Sequence, residues 1–156
     1  MNTTDQYVHF DLIIPSMIAA NQKQVLRMVA SNVSKIIGIQ ERILADRLID
    51  KEKQASSAMG DGVAVTHLPI SSLTQPLTVF VKLRSPVEFN APDNLPVDLL
   101  CVLLTPERDG ALHLRSLARL SRLMRDSAIC YNLRQATDER SVRSVMTAST
   151  ARMMAA

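Results

Sequence analysis

From about Asn21 to Ile37 apolar residues recur at steps of three and four, at Val25, Met28, Val29, Val33 and Ile36. That spacing predicts a helix with one buried stripe, and Gly38 provides a left-handed stop. Ile39, Ile43, Leu44 and Leu48 mark a second helix from about Ile39 to Glu52, so the two form an αα-hairpin. A short extended stretch (Tyr7, Phe10, Leu12, Ile13, Ile14) precedes them, to about Pro15. Gln54 to Gly62 is small and polar, with Ser56, Ser57, Gly60 and Gly62, and reads as a loop. Val63-Ala64-Val65 predicts a short strand ending at Thr66-His67. Leu77, Val79, Val81 and Leu83 alternate with Thr78, Phe80 and Lys82, the period of a strand. Pro86 to Pro96 reads as a connection, and the apolar run from Val97 to Leu104 as a strand buried on both faces. The helical period returns from about Gly110 to Arg125, with Leu114, Leu117, Ala118, Leu120 and Met124 on one side and Arg115, Arg119 and Arg122 on the other. Asp126 is placed to cap a short helix through Leu133, and Thr137 a last one through Met146; the tail from 148 to 156 is expected to fray. Buried strands between helical segments predict one α/β sandwich domain, with helices on both faces of a mixed sheet and a core over about 11–147.

Composition narrows the partners. With 47% hydrophobic and 21% charged residues the chain is globular rather than disordered, and with 3% aromatics and no Trp its core must be aliphatic. The 18 Lys and Arg are interspersed with 15 Asp and Glu, so a formal charge of +3 points to no nucleic-acid partner. No apolar run reaches the roughly 18 residues of a membrane span, and Asp5 and Asp11 interrupt an N-terminus without the basic region of a secretory leader. Cys101 and Cys130 lie in the apolar contexts LLCVLL and AICYNL, which reads as buried free thiols in a reducing, cytoplasmic compartment. The cysteines and histidines have no metal-ligand spacing, and Gly60-Asp61-Gly62 lacks the third glycine of a dinucleotide fingerprint. No metal or cofactor is expected.

Two of the three histidines are candidates for chemistry. His67 follows a short strand and a glycine loop, where amides exposed by Gly60 and Gly62 suit an anion. His113 falls in the first turn of a helix, where the dipole favours negative charge. His9 sits in a short apolar stretch and receives no role. The Arg115, Arg119 and Arg122 stripe reads as a solvated helix face that an acidic partner could meet.

Three segments carry a family resemblance. KEKQASSAMGDGVAVTH, from Lys51 to His67, resembles the active-site segment of phosphotransferase-system enzyme IIA domains of the mannitol/fructose/nitrogen type, where a glycine-bounded loop and a short strand lead to a phosphorylated histidine. VFVKLRSPVEFNAPDNLPVDLLCVLLTPE, from Val79 to Glu107, is similar to that family's central strands. HLRSLARLSRLMRD, from His113 to Asp126, is similar to the helix bearing its second histidine. The resemblance runs from about Asp11 to Met146. It implies a cytoplasmic phosphohistidine carrier in which His67 accepts phosphate from an HPr-like protein and His113 orients the ring and offsets phosphoryl charge. The chemistry suits imidazole, which is neutral and nucleophilic near pH 7. Lys51, Ser57, Thr66 and the Gly60 and Gly62 amides are the expected phosphoryl-binding groups. Leu68 and Ile70 are the expected apolar docking rim, with Arg115 and Arg119 beside it.

Two residues depart from the family pattern: Thr66 stands where proline usually precedes the active histidine, and Lys51 where arginine is common. Lysine keeps the charge but loses the bidentate fork. The free-standing chain is most similar to the nitrogen-regulatory branch, whose phosphorylation state is read by partners such as potassium transporters and sensor kinases. The alternatives are the IIA subunit of a fructose or mannitol uptake system, and a regulatory binding module on the same fold that is not phosphorylated.

Overall fold

A computed structural model describes residues 8–155; Tyr7 and Ala156 lie outside them. The described chain forms β1 (Leu12–Met17), α1 (Gln22–Ile37), α2 (Glu41–Gln54), β2 (Ala58–Gly60), β3 (Val63–Ile70), β4 (Leu77–Val87), β5 (Val97–Pro106), α3 (Gly110–Met124), α4 (Ser127–Gln135) and α5 (Glu139–Ala155). The sheet order is β1-β4-β5-β3-β2. β1 with β4 and β3 with β5 are parallel, whereas β4 with β5 and β2 with β3 are antiparallel. This is the mixed sheet expected from the sequence.

Strand alternation splits the core into two layers. Ala64, Leu68, Ile70, Leu100, Val102 and Leu104 face α1 and α2. Val63, Val65, Leu99, Cys101 and Leu103 face the layer made by α3, α4 and α5. β5 is therefore apolar on both sides, which is why its sequence is a run rather than an alternation. Both cysteines are buried free thiols, and burial raises their pKa values.

The helix hairpin forms as its spacing predicts, and Gly38 ends α1 at φ 71°. Its buried stripe is rotated from the expected one. Leu26 and Ala30 are buried with Val25, Val29 and Val33, while Ile36 is exposed; in α2, Ala45 and Ile49 join Leu44 and Leu48, and Ile43 is exposed. Asp126 caps α4 through the Ala128 and Ile129 amides. In α5 the Asp138 carboxylate, rather than Thr137, accepts the Ser141 N–H at 2.7 Å. That helix extends to Ala155, beyond the end expected at Met146, and Ser149 is buried within it.

Three strands differ most from the sequence expectation. Ala58–Gly60 is not loop but a strand, joined to β3 by a tight turn at Asp61 (φ 56°) and Gly62 (φ 78°). An Asp-Gly pair with positive φ at both positions is a favoured hairpin connection. β4 continues past Leu83 to Val87, with its register broken between Lys82 and Val87, which accommodates Pro86. β3 does not stop at Thr66. It pairs with β5 without interruption from Val63 to Ile70. Pro69 is tolerated there because residues 65, 67 and 69 turn their backbone groups away from β5, toward an edge that β2 covers only as far as Val65, whose N–H meets the Ser57 carbonyl.

Candidate functional site

His67 therefore sits in the middle of β3, not at a strand end. It shares its face with Val65, so its ring lies on the α3 side, next to Leu103 of β5. The chain leaves β5 at Pro106 and turns through an Asp109 N–H to Pro106 carbonyl bond. It then enters α3, whose first turn is capped by the Asp109 side chain on the Leu112 amide. That reversal carries His113 back over β3. His113 Nε2 lies 2.9 Å from His67 Nδ1, the rings meeting edge-on with centroids 4.9 Å apart.

A third group comes from the opposite layer. Beyond Val65 no described strand flanks the outer edge of β3, and its carbonyls need other donors. Lys51 Nζ donates to the His67 carbonyl, and Arg47 Nη2, one helical turn earlier on α2, to the Pro69 carbonyl at 2.9 Å. In crossing that open edge the Lys51 ammonium arrives 2.9 Å from His67 Nδ1 and 3.2 Å from Nε2. The edge that admits Pro69 thus also lets a cation from the far side reach the ring.

The electrostatics suit a nucleophile. Burial, then the Lys51 charge and His113, push the His67 pKa down to about 4. Burial and then Lys51 also lower His113, and burial lowers Lys51 against the opposing charge of Glu52. At neutral pH both rings are uncharged beside an ammonium, an arrangement ready for an incoming anion.

Other expected site residues are placed elsewhere. Thr66 is 1% exposed and points, with Ala64 and Leu68, to the face opposite His67. Its hydroxyl finds no partner among the described residues. The Ser57 hydroxyl is also sealed from solvent and has no partner among the described residues, while its carbonyl holds the Val65 amide. Gly62 is five residues from His67 along an extended strand, roughly 16 Å at about 3.3 Å per residue, so the hairpin amides do not reach the ring. These glycines serve the turn. A Cβ on Gly62 would lie 2.8 Å from Arg134 Nη2 and 2.9 Å from Asp98 Oδ1, the ion pair that ties the hairpin to β5 and α4; one on Gly60 would come 3.3 Å from Asp93. Leu68 and Ile70 are buried in the α1/α2 core and cannot form a docking rim. Once β3 continues past Val65, alternation puts them on the face away from His67. The exposed apolar side chain beside the site is instead Leu114, 68% exposed and adjacent to His113. Arg115 is exposed next to it. Arg119, two turns along α3, is partly buried and lines a small cavity with Asp11, Thr78 and Ser116.

The residues not anticipated from sequence are Arg47, Leu114 and Thr105. The Thr105 hydroxyl, fully buried near the end of β5, is hydrogen-bonded to His113 Nδ1. The available signal was a lone hydroxyl closing the apolar run LLCVLL before Pro106, since a buried hydroxyl needs a partner.

Comparison with known proteins gives the chain a family. The family described as "Phosphoenolpyruvate-dependent sugar phosphotransferase system, EIIA 2" matches residues 6–149. The "Nitrogen regulatory protein" of Bradyrhizobium diazoefficiens is 36% identical over 136 residues, covering 87% of this chain and 89% of that protein. Among solved structures, the nitrogen regulatory protein IIA-Ntr of Neisseria meningitidis superposes with a TM-score of 0.82 at 25% identity, covering 92% of this chain and 98% of its own. Escherichia coli enzyme IIA for mannitol, solved with phosphorylated enzyme IIB, shares the fold at a TM-score of 0.72 and 16% identity, over 90% and 97% of the chains. The chain belongs to the type 2 EIIA family of the phosphotransferase system. Within that family it is similar to nitrogen regulatory proteins.

Proposed function

We propose that the chain is a phosphohistidine carrier with a regulatory output, accepting a phosphoryl group on Nε2 of His67 from an HPr-like protein. The observation that carries the reading is the contact between two uncharged imidazoles, His113 Nε2 to His67 Nδ1 at 2.9 Å. His113 occupies Nδ1, so Nε2 is the ring nitrogen left for phosphorus. In the transfer the Nε2 lone pair attacks phosphorus, the donor's N–P bond breaks, and its electron pair stays on the donor imidazole. The Nδ1 proton of His67 passes to His113 Nε2. Exchange between two histidines needs little driving force, so catalysis is mostly alignment and charge stabilisation. Lys51 supplies a cation against the phosphoryl oxygens. Leu114 and Arg115 lie at the opening and form the contact for the donor, a small and transient docking. The match to nitrogen regulatory proteins supports a cytoplasmic regulatory carrier whose phosphorylation state is read by partners such as potassium transporters or sensor kinases.

No described helix is long and apolar enough to cross a membrane, and the carrier role requires none. The test is intact mass measurement after incubation with a phosphorylated HPr-like donor. One added phosphoryl group, lost in His67→Ala, is the expected result. No gain with a competent donor would reject the carrier role and leave the unphosphorylated binding module. Retention of the gain in His67→Ala would move the acceptor to another residue.

A further inference from the structure

The Lys51 ammonium lies 2.9 Å from Nδ1 and 3.2 Å from Nε2 of His67 and, as a donor only, can meet a lone pair on either nitrogen. The choice falls to His113, and the far nitrogen of that ring meets Thr105. We propose that Thr105 is a positioning residue: its hydroxyl oxygen accepts the Nδ1 proton of His113, so that His113 Nε2 accepts from His67 Nδ1 and the His67 Nε2 lone pair stays free. This rests on the carrier reading for its consequence but not for its geometry.

The chain of contacts permits two proton arrangements. If Thr105 accepts, each imidazole carries its proton on Nδ1, and His67 Nε2 is a nucleophile. If Thr105 donates, both protons sit on Nε2; His67 Nδ1 is then covered by His113 and Nε2 has no lone pair, so the ring cannot attack. Transfer itself requires the first arrangement. Once the His67 proton has moved to His113, that ring has two N–H donors. Nε2–H then faces His67 and Nδ1–H faces Thr105. Thr105 is fully buried, and β5 is apolar from Leu99 to Leu104, so no other strand side chain there offers an acceptor. The oxygen steadies the cationic His113 that forms as phosphorus arrives, and His113 Nε2 returns the proton to His67 Nδ1 as phosphorus leaves. Fixing an imidazole tautomer through a hydrogen bond at its other nitrogen is a general device.

Thr105→Val keeps the shape and removes the hydroxyl; Thr105→Ser restores it. Nitrogen-15 spectra of the labelled histidines at neutral pH read the tautomers directly. In the parent, His113 Nδ1 and His67 Nδ1 should carry protons and His67 Nε2 should show a lone pair. In Thr105→Val an unpaired lone pair on His113 Nδ1 costs less than an unpaired N–H, so both rings should shift toward the Nε2–H form. Phosphoryl acceptance should slow roughly three- to tenfold, the factor expected for one net hydrogen bond, with recovery to within about twofold in Thr105→Ser. Unchanged ring-nitrogen signals in Thr105→Val would overturn the proposal, and so would a parent with its protons on Nε2. If the parent takes no phosphoryl group yet the tautomers shift as described, the carrier reading fails and the Thr105 assignment stands.

Discussion

Replacing Lys51 by methionine keeps the aliphatic stem and removes the charge. In the resting protein Nζ is 2.9 and 3.2 Å from the two nitrogens of His67, so a phosphoryl group on Nε2 places its oxygens about 4 Å from the ammonium. A unit charge pair at about 4 Å is worth about 4 kcal/mol at an effective dielectric of about 20, and about 1 in bulk water. The site is half-buried and the phosphoryl group carries more than one negative charge. A loss of about 2–3 kcal/mol between these limits is therefore expected, roughly a 30- to 150-fold shift in the phosphoryl equilibrium toward the donor. Equilibrating the variant with a phosphorylated HPr-like donor and reading both partners by intact mass measures that ratio. The same substitution removes one cause of the depressed His67 pKa, which should rise above about 4 in a nitrogen-15 titration. Lys51→Arg should retain most of the equilibrium. If Lys51→Met shifts the ratio less than threefold and leaves the His67 titration unmoved, Lys51 serves only the strand edge.

Because His67 titrates at about 4 when folded and near 6.5 when unfolded, the unfolded chain binds the extra proton between those values, and stability must fall as pH drops from about 6.5 to 4. The half-exposed ring is partly screened, so about 1–2 kcal/mol should be lost; denaturant melts of parent and His67→Ala at pH 7 and 4.5 should differ by that amount, and equal pH slopes would contradict it. Phosphoryl acceptance should likewise stay flat down to about pH 5, where an ordinary histidine would already be charged. Gly62→Ala forces a side chain onto φ 78° and into the Arg134–Asp98 pair. About 2 kcal/mol of destabilisation is expected, a fall in melting temperature of roughly 4–8 °C for a chain of this size. Its phosphoryl acceptance should be unchanged, and a large rate loss at constant fold would return the glycine turn to the site.

The layered architecture was legible because its signals are local and repeated. Helical periods over 16 and 14 residues and the nearly continuous apolar run of β5 each outweigh any single misplaced residue, and Gly38 and Asp126 mark element ends through their own backbone and side-chain chemistry. β2 is three residues long, too short to show a period, although its Asp-Gly turn was readable. The length of β3 was not readable, because Pro69 inside a strand is acceptable only where the neighbouring edge is open, and that depends on where β2 ends.

From that one boundary the differences at the site follow. A longer β3 moves His67 away from the Gly60–Gly62 turn and turns Thr66, Leu68 and Ile70 into the opposite layer. The sequence by itself determined the layers, the family likeness and the two histidines. Only tertiary structure decided which of the expected groups reach them, and from which side. Lys51 crosses the open edge from one layer, His113 is carried back by the turn after β5 from the other, and Thr105 meets His113 beneath. Such contacts are set by the crossing of a helix over a sheet, a geometry with no trace in the spacing of residues along the chain.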